Sequence, residues 1–221
     1  VTSIDEFRDM GYLPEALSNY MAFLGWSPKS ADKEILSLDE ISEIFDLSDI
    51  NKAGAKFSWE KLNWINSQYI KNMDSLKLSE IMRKYWDDNG WVPPSQEWAI
   101  KLAILLRDSM TVLKDAIDQA KPFFLIPTIQ KEGKDFLEKK DSKTSLKLIL
   151  NYLIEQNTIK LDKEKAKEKI NEISKMHNIK KGILMKSLRV AFFGSLSGPD
   201  LIQSWELFSE SNTDRSRIER C

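Results

Sequence analysis

Two groups of cations, each beside aromatic or turn-forming residues, are the parts of this sequence whose side chains could do chemistry. In the segment 57–73, the helical period places Lys61 and Trp64 on the side away from the apolar face. An indole can stack on a base while a lysine meets phosphate, although packing of Trp64 against a neighbouring helix is the simpler alternative. Asn66 lies near the apolar stripe, so we expect its amide to hold adjacent backbone.

The second group lies in the segment 180–194, where Lys186 and Arg189 are one turn apart, opposite the apolar residues. Such a pair could hold a phosphate or read a base edge, because a guanidinium donates two parallel hydrogen bonds. Two exposed cations on a helix are also common. The following segment, 194–201, is rich in turn formers and could present backbone groups to a base or simply connect two helices.

Composition excludes several classes of protein. The chain has 221 residues, a net charge of −1, and 42% hydrophobic and 30% charged residues. No apolar run approaches the roughly 20 residues of a membrane span, and nothing resembles a signal peptide, so we expect a cytoplasmic protein without a membrane partner. One cysteine, Cys221, and one histidine, His177, are too few for a disulfide or a Cys/His zinc site. No catalytic constellation and no metal site are predicted.

The charge is unevenly distributed along the chain. Residues 1–60 contain 5 basic and 12 acidic side chains, whereas residues 159–186 contain 9 basic and 4 acidic ones. The local field governs association with a polyanion, so the second region could bind one although the net charge is close to zero.

Helix signals recur along the whole chain, and strand signals are almost absent. Ser3 and Ser37, each followed three residues later by glutamate, predict capping boxes at two helix starts. Glycines are expected to end helices at four positions: 11, 25, 90 and 194. Beyond the apolar stripe of residues 13–24, helical periods are predicted near 59–73, 76–88, 96–118, 145–156, 162–177, 181–193 and 199–208.

Breaks in these patterns predict three consecutive helical subdomains. Asp74 follows the first, and the proline-bounded connection 122–127 ends the second, which gives boundaries of 1–73, 74–127 and 128–221. No repeat of fixed period is present, so the prediction is an irregular all-α helical bundle rather than a regular solenoid. These patterns alone indicate an all-α binding module without identifying its partner.

Three stretches carry a resemblance to a known family: TSIDEFRDMGYLPEALSNYMAFLGWS at 2–27, FSWEKLNWINSQYI at 57–70 and LRVAFFGSLSGPDLIQSWELF at 188–208. The sequence resembles the C-terminal half of bacterial-type glutamyl-tRNA synthetase. The resemblance implies a stem-contact region in the first subdomain and a helical anticodon-binding domain in the other two.

The motifs that are missing from the sequence matter as much as those present. The family binds ATP with a HIGH-type motif and a Lys-Met-Ser-Lys-Ser-type loop, and neither occurs here. The resemblance therefore implies tRNA recognition for ATP-dependent attachment of glutamate, with ATP and Mg in the absent catalytic domain. We expect no catalytic residue and no cofactor in this chain, and no aminoacylation by it alone.

The resemblance also assigns RNA contacts. Lys61, Trp64 and Asn66 match a KLxWxN element that approaches the inner corner and D-arm of the tRNA. Arg189 matches an arginine on the anticodon-facing surface, with Lys186 inferred as its neighbour. The residues that match the loop beside the anticodon are Gly198, Pro199 and Leu201.

One position departs from the family pattern. Members restricted to glutamate tRNA have an arginine two residues after the position of Arg107, where it discriminates the third anticodon base, C in glutamate tRNA and G in glutamine tRNA. Here that position is Ser109, and both Arg107 and Ser109 are predicted to contact the tRNA. A short hydroxyl cannot replace a rigid five-donor fork, so we hypothesise a non-discriminating parent enzyme. The alternative is a small core residue, since ideal helical phase places Ser109 on the face of Leu102 and Leu106.

The expected partner is tRNA(Glu), with tRNA(Gln) as the additional hypothesis; no DNA partner is expected, and the chain is expected to be a monomer. The competing class is a freestanding helical protein-interaction module derived from the synthetase. A contiguous apolar patch in place of the Trp64/Lys61 and Arg189/Lys186 surfaces would favour that class. A complete enzyme with an unrecognised active site lacks any suitable constellation in this sequence.

Overall fold

The computed structural model describes residues 3–28, 33–51, 54–156 and 160–221. These residues form thirteen α-helices and one short 3-10 helix, and within them the only β-type pairing is an isolated bridge between Trp26 and Ile50. The predicted all-α class is confirmed. The α-helices are α1 Ile4–Met10, α2 Pro14–Gly25, α3 Leu38–Ile44, α4 Trp59–Asn72, α5 Ser75–Asp88, α6 Gln96–Arg107, α7 Asp115–Phe124, α8 Lys131–Leu137, α9 Lys140–Gln156, α10 Lys163–Met176, α11 Lys181–Phe193, α12 Leu201–Glu210 and α13 Asp214–Glu219.

The caps explain where several helices begin and end. Ser3 and Ser37 form the two predicted capping boxes, each accepting from a backbone N–H while the glutamate side chain accepts from the cap residue. Gly11 and Gly194 end α1 and α11 in the left-handed conformation, with φ of 90° and 71°. Gly25 is the last residue of α2, as predicted, but the cap is an extended Trp26.

The single helix predicted over 96–118 is wrong, because the chain leaves helical geometry between α6 and α7. The Asp115 carboxylate accepts hydrogen bonds from the backbone N–H of Thr111 at 2.7 Å and of Val112 at 3.0 Å. A short acidic side chain that holds backbone donors in this way competes with the helix for them. Pro122 also lies inside α7, which continues to Phe124, so the predicted connection begins too early.

Two helices were not predicted, α8 and α13. In α8 the cause is Gly133, which has low helix propensity but is required by packing. A Cβ at this position would lie 2.9 Å from a Val190 methyl carbon and 3.1 Å from the Gly194 carbonyl oxygen. The residue that weakens the helical pattern is therefore the one that allows α8 to approach α11.

The chain divides into two compact units. Unit 1 consists of Val1–Gly90 and Leu106–Gln119, and unit 2 consists of Trp91–Leu105 and Ala120–Cys221. Neither unit is one continuous stretch, since α6 and α7 each contain a boundary. The three predicted subdomains, with boundaries at 73 and 127, stay a prediction.

Unit 1 has a core built on α2, α4 and α5. Leu62, Ile65 and Ile70 of α4 are fully buried, as its predicted apolar face required. The Trp86 indole N–H donates to the Ala116 carbonyl at 3.0 Å, which joins the two stretches of this unit. Trp26 is buried and packs against Leu36 and Ile41, as expected of a packing residue.

Unit 2 has an aromatic core from α6, α7, α11 and α12. The Phe123 and Phe208 rings stack at 5.0 Å between centroids, and Phe192 lies 4.9 Å from Phe208. The buried Trp98 indole donates to the Leu207 carbonyl at 2.9 Å. In the part of the chain that the structure describes, no helix combines the length and the apolar character needed to cross a bilayer.

Candidate nucleic-acid interface

The ten residues predicted to contact RNA fall into two groups of five, one in each unit. The unit 1 group is Lys61, Trp64, Asn66, Arg107 and Ser109. The unit 2 group is Lys186, Arg189, Gly198, Pro199 and Leu201.

Asn66 is the buried member of the unit 1 group. Its side chain is 0% exposed, accepts a hydrogen bond from the Leu13 N–H at 2.9 Å and donates to the Thr111 carbonyl at 2.6 Å. Next to these bonds, the Leu113 N–H donates to the Gly11 carbonyl at 2.8 Å. The amide thus holds three stretches of backbone together, as the sequence suggested. Burial leaves it unable to touch a bound RNA, so its role is to position neighbours.

Lys61 and Trp64 form the exposed part of the same α4 element. Trp64 is 44% exposed, so part of its indole is accessible for stacking. The Lys61 ammonium lies 3.5 Å from a Glu34 carboxylate oxygen, and both side chains are largely exposed. Such a surface ion pair is weak, so the lysine can exchange it for a phosphate at little cost.

Ser109 lies beyond the end of α6 and is exposed, so the core-residue interpretation is wrong. Its hydroxyl lies 2.7 Å from both the Leu106 carbonyl oxygen and the Gln119 Oε1, and the Gln119 Nε2 donates to the Ser109 carbonyl at 3.1 Å. A reciprocal serine–glutamine pair thus occupies the position where restricted members have an arginine. The half-buried Arg107 nearby in sequence has a buried Nε without a hydrogen-bond partner among the described residues.

Arg189 is the centre of the unit 2 group. Its guanidinium donates from one terminal nitrogen to the Gly198 carbonyl at 2.7 Å and to the Pro199 carbonyl at 2.8 Å. The side chain is only half-buried, and its other N–H groups keep their capacity to donate. This arginine therefore fixes the loop after α11 and remains within reach of a ligand.

The loop residues divide into exposed and buried ones. Gly198 is exposed with φ of 154°, and a Cβ there would lie 2.9 Å from the Phe193 ring. Pro199 is half-buried, whereas the Leu201 side chain is 2% exposed and packs in the core at the start of α12. Leu201 can therefore offer a ligand little beyond its support of the loop. Lys186 is exposed on α11, as predicted.

Sequence reasoning missed two arginines that hold the end of α11. The Arg217 guanidinium donates to the Phe192 carbonyl at 3.1 Å and lies over the Phe208 ring at 4.2 Å, while Arg220 donates to the Ala191 carbonyl at 3.0 Å. Burial, with a smaller contribution from the nearby Arg220 charge, lowers the pKa of Arg217 to about 10, so it stays charged at neutral pH. A signal for this role was available, since cations satisfy carbonyls at helix C-termini, but the partner helix is not adjacent in sequence.

The sequence and the fold are both similar to those of known glutamate–tRNA ligases. The chain is 89% identical over its whole length to a glutamate–tRNA ligase of Prochlorococcus marinus strain MIT 9215 and 87% identical to that of strain MIT 9301, and it spans 46% of each. It therefore covers about half the length of these relatives. A crystal structure of a glutamate tRNA ligase from Elizabethkingia meningosepticum, in complex with its amino acid, matches 97% of the chain and 42% of that protein, with 32% identity and a TM-score of 0.88.

Two family models divide the sequence between them. The model described as the catalytic domain of class I (E and Q) tRNA synthetases matches residues 1–64, which include Lys61 and Trp64. The model described as the anticodon binding domain matches residues 77–221, which include Ser109, Arg189 and the loop after α11. The predicted resemblance to glutamyl-tRNA synthetase is confirmed, and through residues 77–221 the chain belongs to the anticodon-binding domain family.

Proposed function

We propose that this chain binds tRNA(Glu) as the tRNA-recognition part of a glutamate–tRNA ligase. The match of residues 77–221 to the anticodon-binding domain family carries the proposal. Activation of glutamate with ATP would be supplied by a part of the ligase outside this sequence, because the sequence holds neither ATP-binding motif of the family.

In unit 2, we infer that the loop held by Arg189 is the contact for the anticodon. Splayed anticodon bases are read by stacking and by hydrogen bonds to their edges, which requires a fixed loop with exposed polar groups. The two hydrogen bonds from Arg189 to Gly198 and Pro199 supply the fixation. Lys186, three residues earlier on α11, supplies an exposed charge for the phosphate backbone.

In unit 1, we infer that Trp64 and Lys61 meet the inner corner and D-arm of the tRNA. Their exposure supports this role, and Asn66 supports it indirectly by fixing α4 against two backbone segments. Recognition here would depend on the shape of the tRNA. The phosphate contacts would be weakened by salt, because their formation releases counterions from the RNA.

Filter binding with a tRNA(Glu) transcript at fixed salt tests the proposal. The matched control is the same transcript with its three anticodon bases replaced. We expect saturable binding of the native transcript and affinity for the control that is weaker by about tenfold or more, the loss typical of one bidentate base contact. Equal affinity for both transcripts, or no saturable binding, would contradict it.

We further propose that tRNA(Gln) is also accepted. Exposure of Ser109 and its pairing with Gln119 support this, since the amide and hydroxyl offer both donors and acceptors and lack the all-donor character of arginine. The 221-residue chain should bind tRNA(Glu) transcripts carrying C or G at the third anticodon position with affinities within about threefold of each other. Ser109→Arg should favour C; a wild-type preference for C above about tenfold would sink the hypothesis.

A protein-interaction module is the second candidate function, favoured by an aromatic cluster in unit 1. The rings of Phe57 and Trp59 are 39% and 41% exposed and lie 4.9 Å apart, and Phe7 is within 6.3 Å of both. Partly exposed aromatic groups of this kind are typical of protein interfaces. The same filter-binding experiment separates the two functions, because a module that has lost its RNA role shows no saturable tRNA binding.

A further inference from the structure

A cavity in unit 2 lies outside the proposed RNA surface. It has a volume of about 250 Å³ and opens between α9 and α13, next to the end of α8. Its apolar lining comes from Leu137, Leu146, Leu150 and Ile218. The proposed RNA contacts of unit 2 are not part of its lining, so the anticodon hypothesis does not account for it.

Two lysines give one side of this cavity a positive charge. Lys143 and Lys147 are one turn apart on α9, both are exposed, and neither forms an ion pair with a described residue. The one described acid in the lining is Glu219, and its carboxylate lies 3.7 Å from the Arg215 Nε. The lysines therefore form an anion-attracting edge above an aliphatic floor.

We propose that this cavity binds a small amphipathic organic anion, with a compact hydrocarbon body in the aliphatic floor and a carboxylate at Lys143 and Lys147. A dry cavity of about 150 Å³ accepts benzene, so the present volume fits a single ring with a short chain, or a chain of roughly eight to ten carbons. Burial of the body supplies affinity, and the two ammonium groups select a negative head group.

A nucleotide fits this cavity less well than an aliphatic acid. The described lining residues include no asparagine or glutamine side chain that could read a base edge, and the Glu219 carboxylate would repel a polyanionic phosphate backbone. A monocarboxylate carries a single charge. Lys143 and Lys147 can bind that charge while only the uncharged hydrocarbon lies near Glu219. The observations thus favour a small acid over RNA.

Cys221 gives the cavity a built-in reporter. It belongs to the lining, and its thiol donates weakly to the Arg217 carbonyl at 3.6 Å. Cys221 is exposed as a residue, but partial burial of its sulfur raises the pKa of the thiol, and the charge of Arg220 opposes the effect. The reaction of the thiol with a soluble disulfide reagent should therefore be slowed when the cavity is filled.

Isothermal titration calorimetry with octanoate tests the proposal, with octanol as the neutral probe. We expect one saturable octanoate site per chain. Lys143→Ala combined with Lys147→Ala should weaken octanoate by about fivefold, as expected for two exposed ion pairs, and leave octanol unchanged. The matched control removes Lys131 and Lys134, two exposed lysines of α8 outside the lining, and should change neither affinity.

A second variant fills the cavity. Leu150→Trp should abolish octanoate binding and remove the protection of Cys221 by octanoate, and circular dichroism establishes that the variant is folded. The absence of saturable octanoate binding would overturn the proposal. Equal octanoate affinity in the Lys143/Lys147 and Lys131/Lys134 double variants would also overturn it. Neither outcome depends on tRNA, so tRNA binding can fail or succeed independently.

Discussion

The two units differ in how a polar side chain fixes the backbone near the proposed RNA surface. In unit 1 the residue that holds backbone is Asn66, which is buried, while Trp64 is a separate and exposed residue of the same helix. In unit 2 a single half-buried residue, Arg189, holds the loop and faces solvent. The difference implies that folding and binding can be altered separately in unit 1, whereas one substitution alters both in unit 2.

The largest effect is expected from Asn66→Ala, which tests whether this buried amide stabilises unit 1. The substitution leaves the buried N–H of Leu13 and the half-buried carbonyl of Thr111 without their Asn66 partners, and we expect a loss of about 2 to 5 kcal/mol in the free energy of unfolding. Urea denaturation measures it. Asn72→Ala, which removes an exposed amide of the same helix, is the control and should cost less than about 1 kcal/mol. A similar loss of unfolding free energy in both variants would show that the hydrogen bonds of Asn66 do not stabilise unit 1 more than those of an exposed amide.

Arg189→Ala should affect binding and folding together. We expect tRNA(Glu) affinity to fall by about 1 to 3 kcal/mol and the free energy of unfolding by about 1 kcal/mol, because two loop carbonyls lose a charged donor. Filter binding and urea denaturation on the same preparation measure the two effects. Lys186→Ala, one turn away, should weaken binding slightly and leave unfolding unchanged. A variant of Arg189 that lost only stability would place this arginine outside the interface.

Trp64→Ala tests the separation proposed for unit 1. A stacked base would be lost, so affinity for tRNA(Glu) should fall by about 1 kcal/mol, the lower end for base–aromatic stacking because the ring is partly covered. The free energy of unfolding should fall by about 1 to 2 kcal/mol, less than for Asn66→Ala, because more than half of the tryptophan surface is covered in the fold. Trp64→Phe should restore most of the affinity. If the alanine variant instead lost stability with unchanged affinity, packing would be the role of this tryptophan.

The smallest effect is expected from Lys61→Ala. Removal of one phosphate contact should reduce the slope of the logarithm of affinity against the logarithm of salt concentration by about 1. The slope is measured with tRNA(Glu) at several salt concentrations. Lys84→Ala, which removes an exposed lysine of α5 outside the proposed RNA contacts, is the control. Identical slopes for both lysine variants would show that Lys61 is an ordinary surface charge.

The helices that were predicted correctly have local signals. α11 has its apolar period and a glycine at its end, and the capping boxes at Ser3 and Ser37 depend on residues three apart. The incorrect predictions occur where contacts with residues distant in the sequence determine whether a helix forms or where it ends. Position 133 requires glycine because Val190 leaves no room for a side chain, and α6 ends where Asp115 holds backbone donors ahead of α7.

The same distinction applies to the candidate site. Burial of Asn66 follows from helical phase, whereas the phase left open whether Trp64 is exposed or packs against a neighbouring helix. The hydrogen bonds from Asn66 to Thr111 and from Arg217 to Phe192 join residues far apart in the chain, and Arg189 reaches across a turn to a carbonyl ten residues later. Periodicity carries no information on such pairs. Residue roles taken from the family resemblance did not separate buried Leu201 and Asn66 from the residues that reach solvent.

The interleaved order of the two units bears on how the chain folds during synthesis. Trp86 in the first stretch of unit 1 bonds to Ala116 in the second, and the residues between them include Trp91–Leu105 of unit 2. Neither core can form until the ribosome has synthesised residues well past position 90. Until then, the apolar faces of the early helices remain exposed to solvent. Long-range closure of this kind slows folding relative to a bundle of local hairpins. A break in the chain between residues 90 and 91 would leave unit 2 whole in the second fragment and would separate unit 1 from its second stretch, Leu106–Gln119.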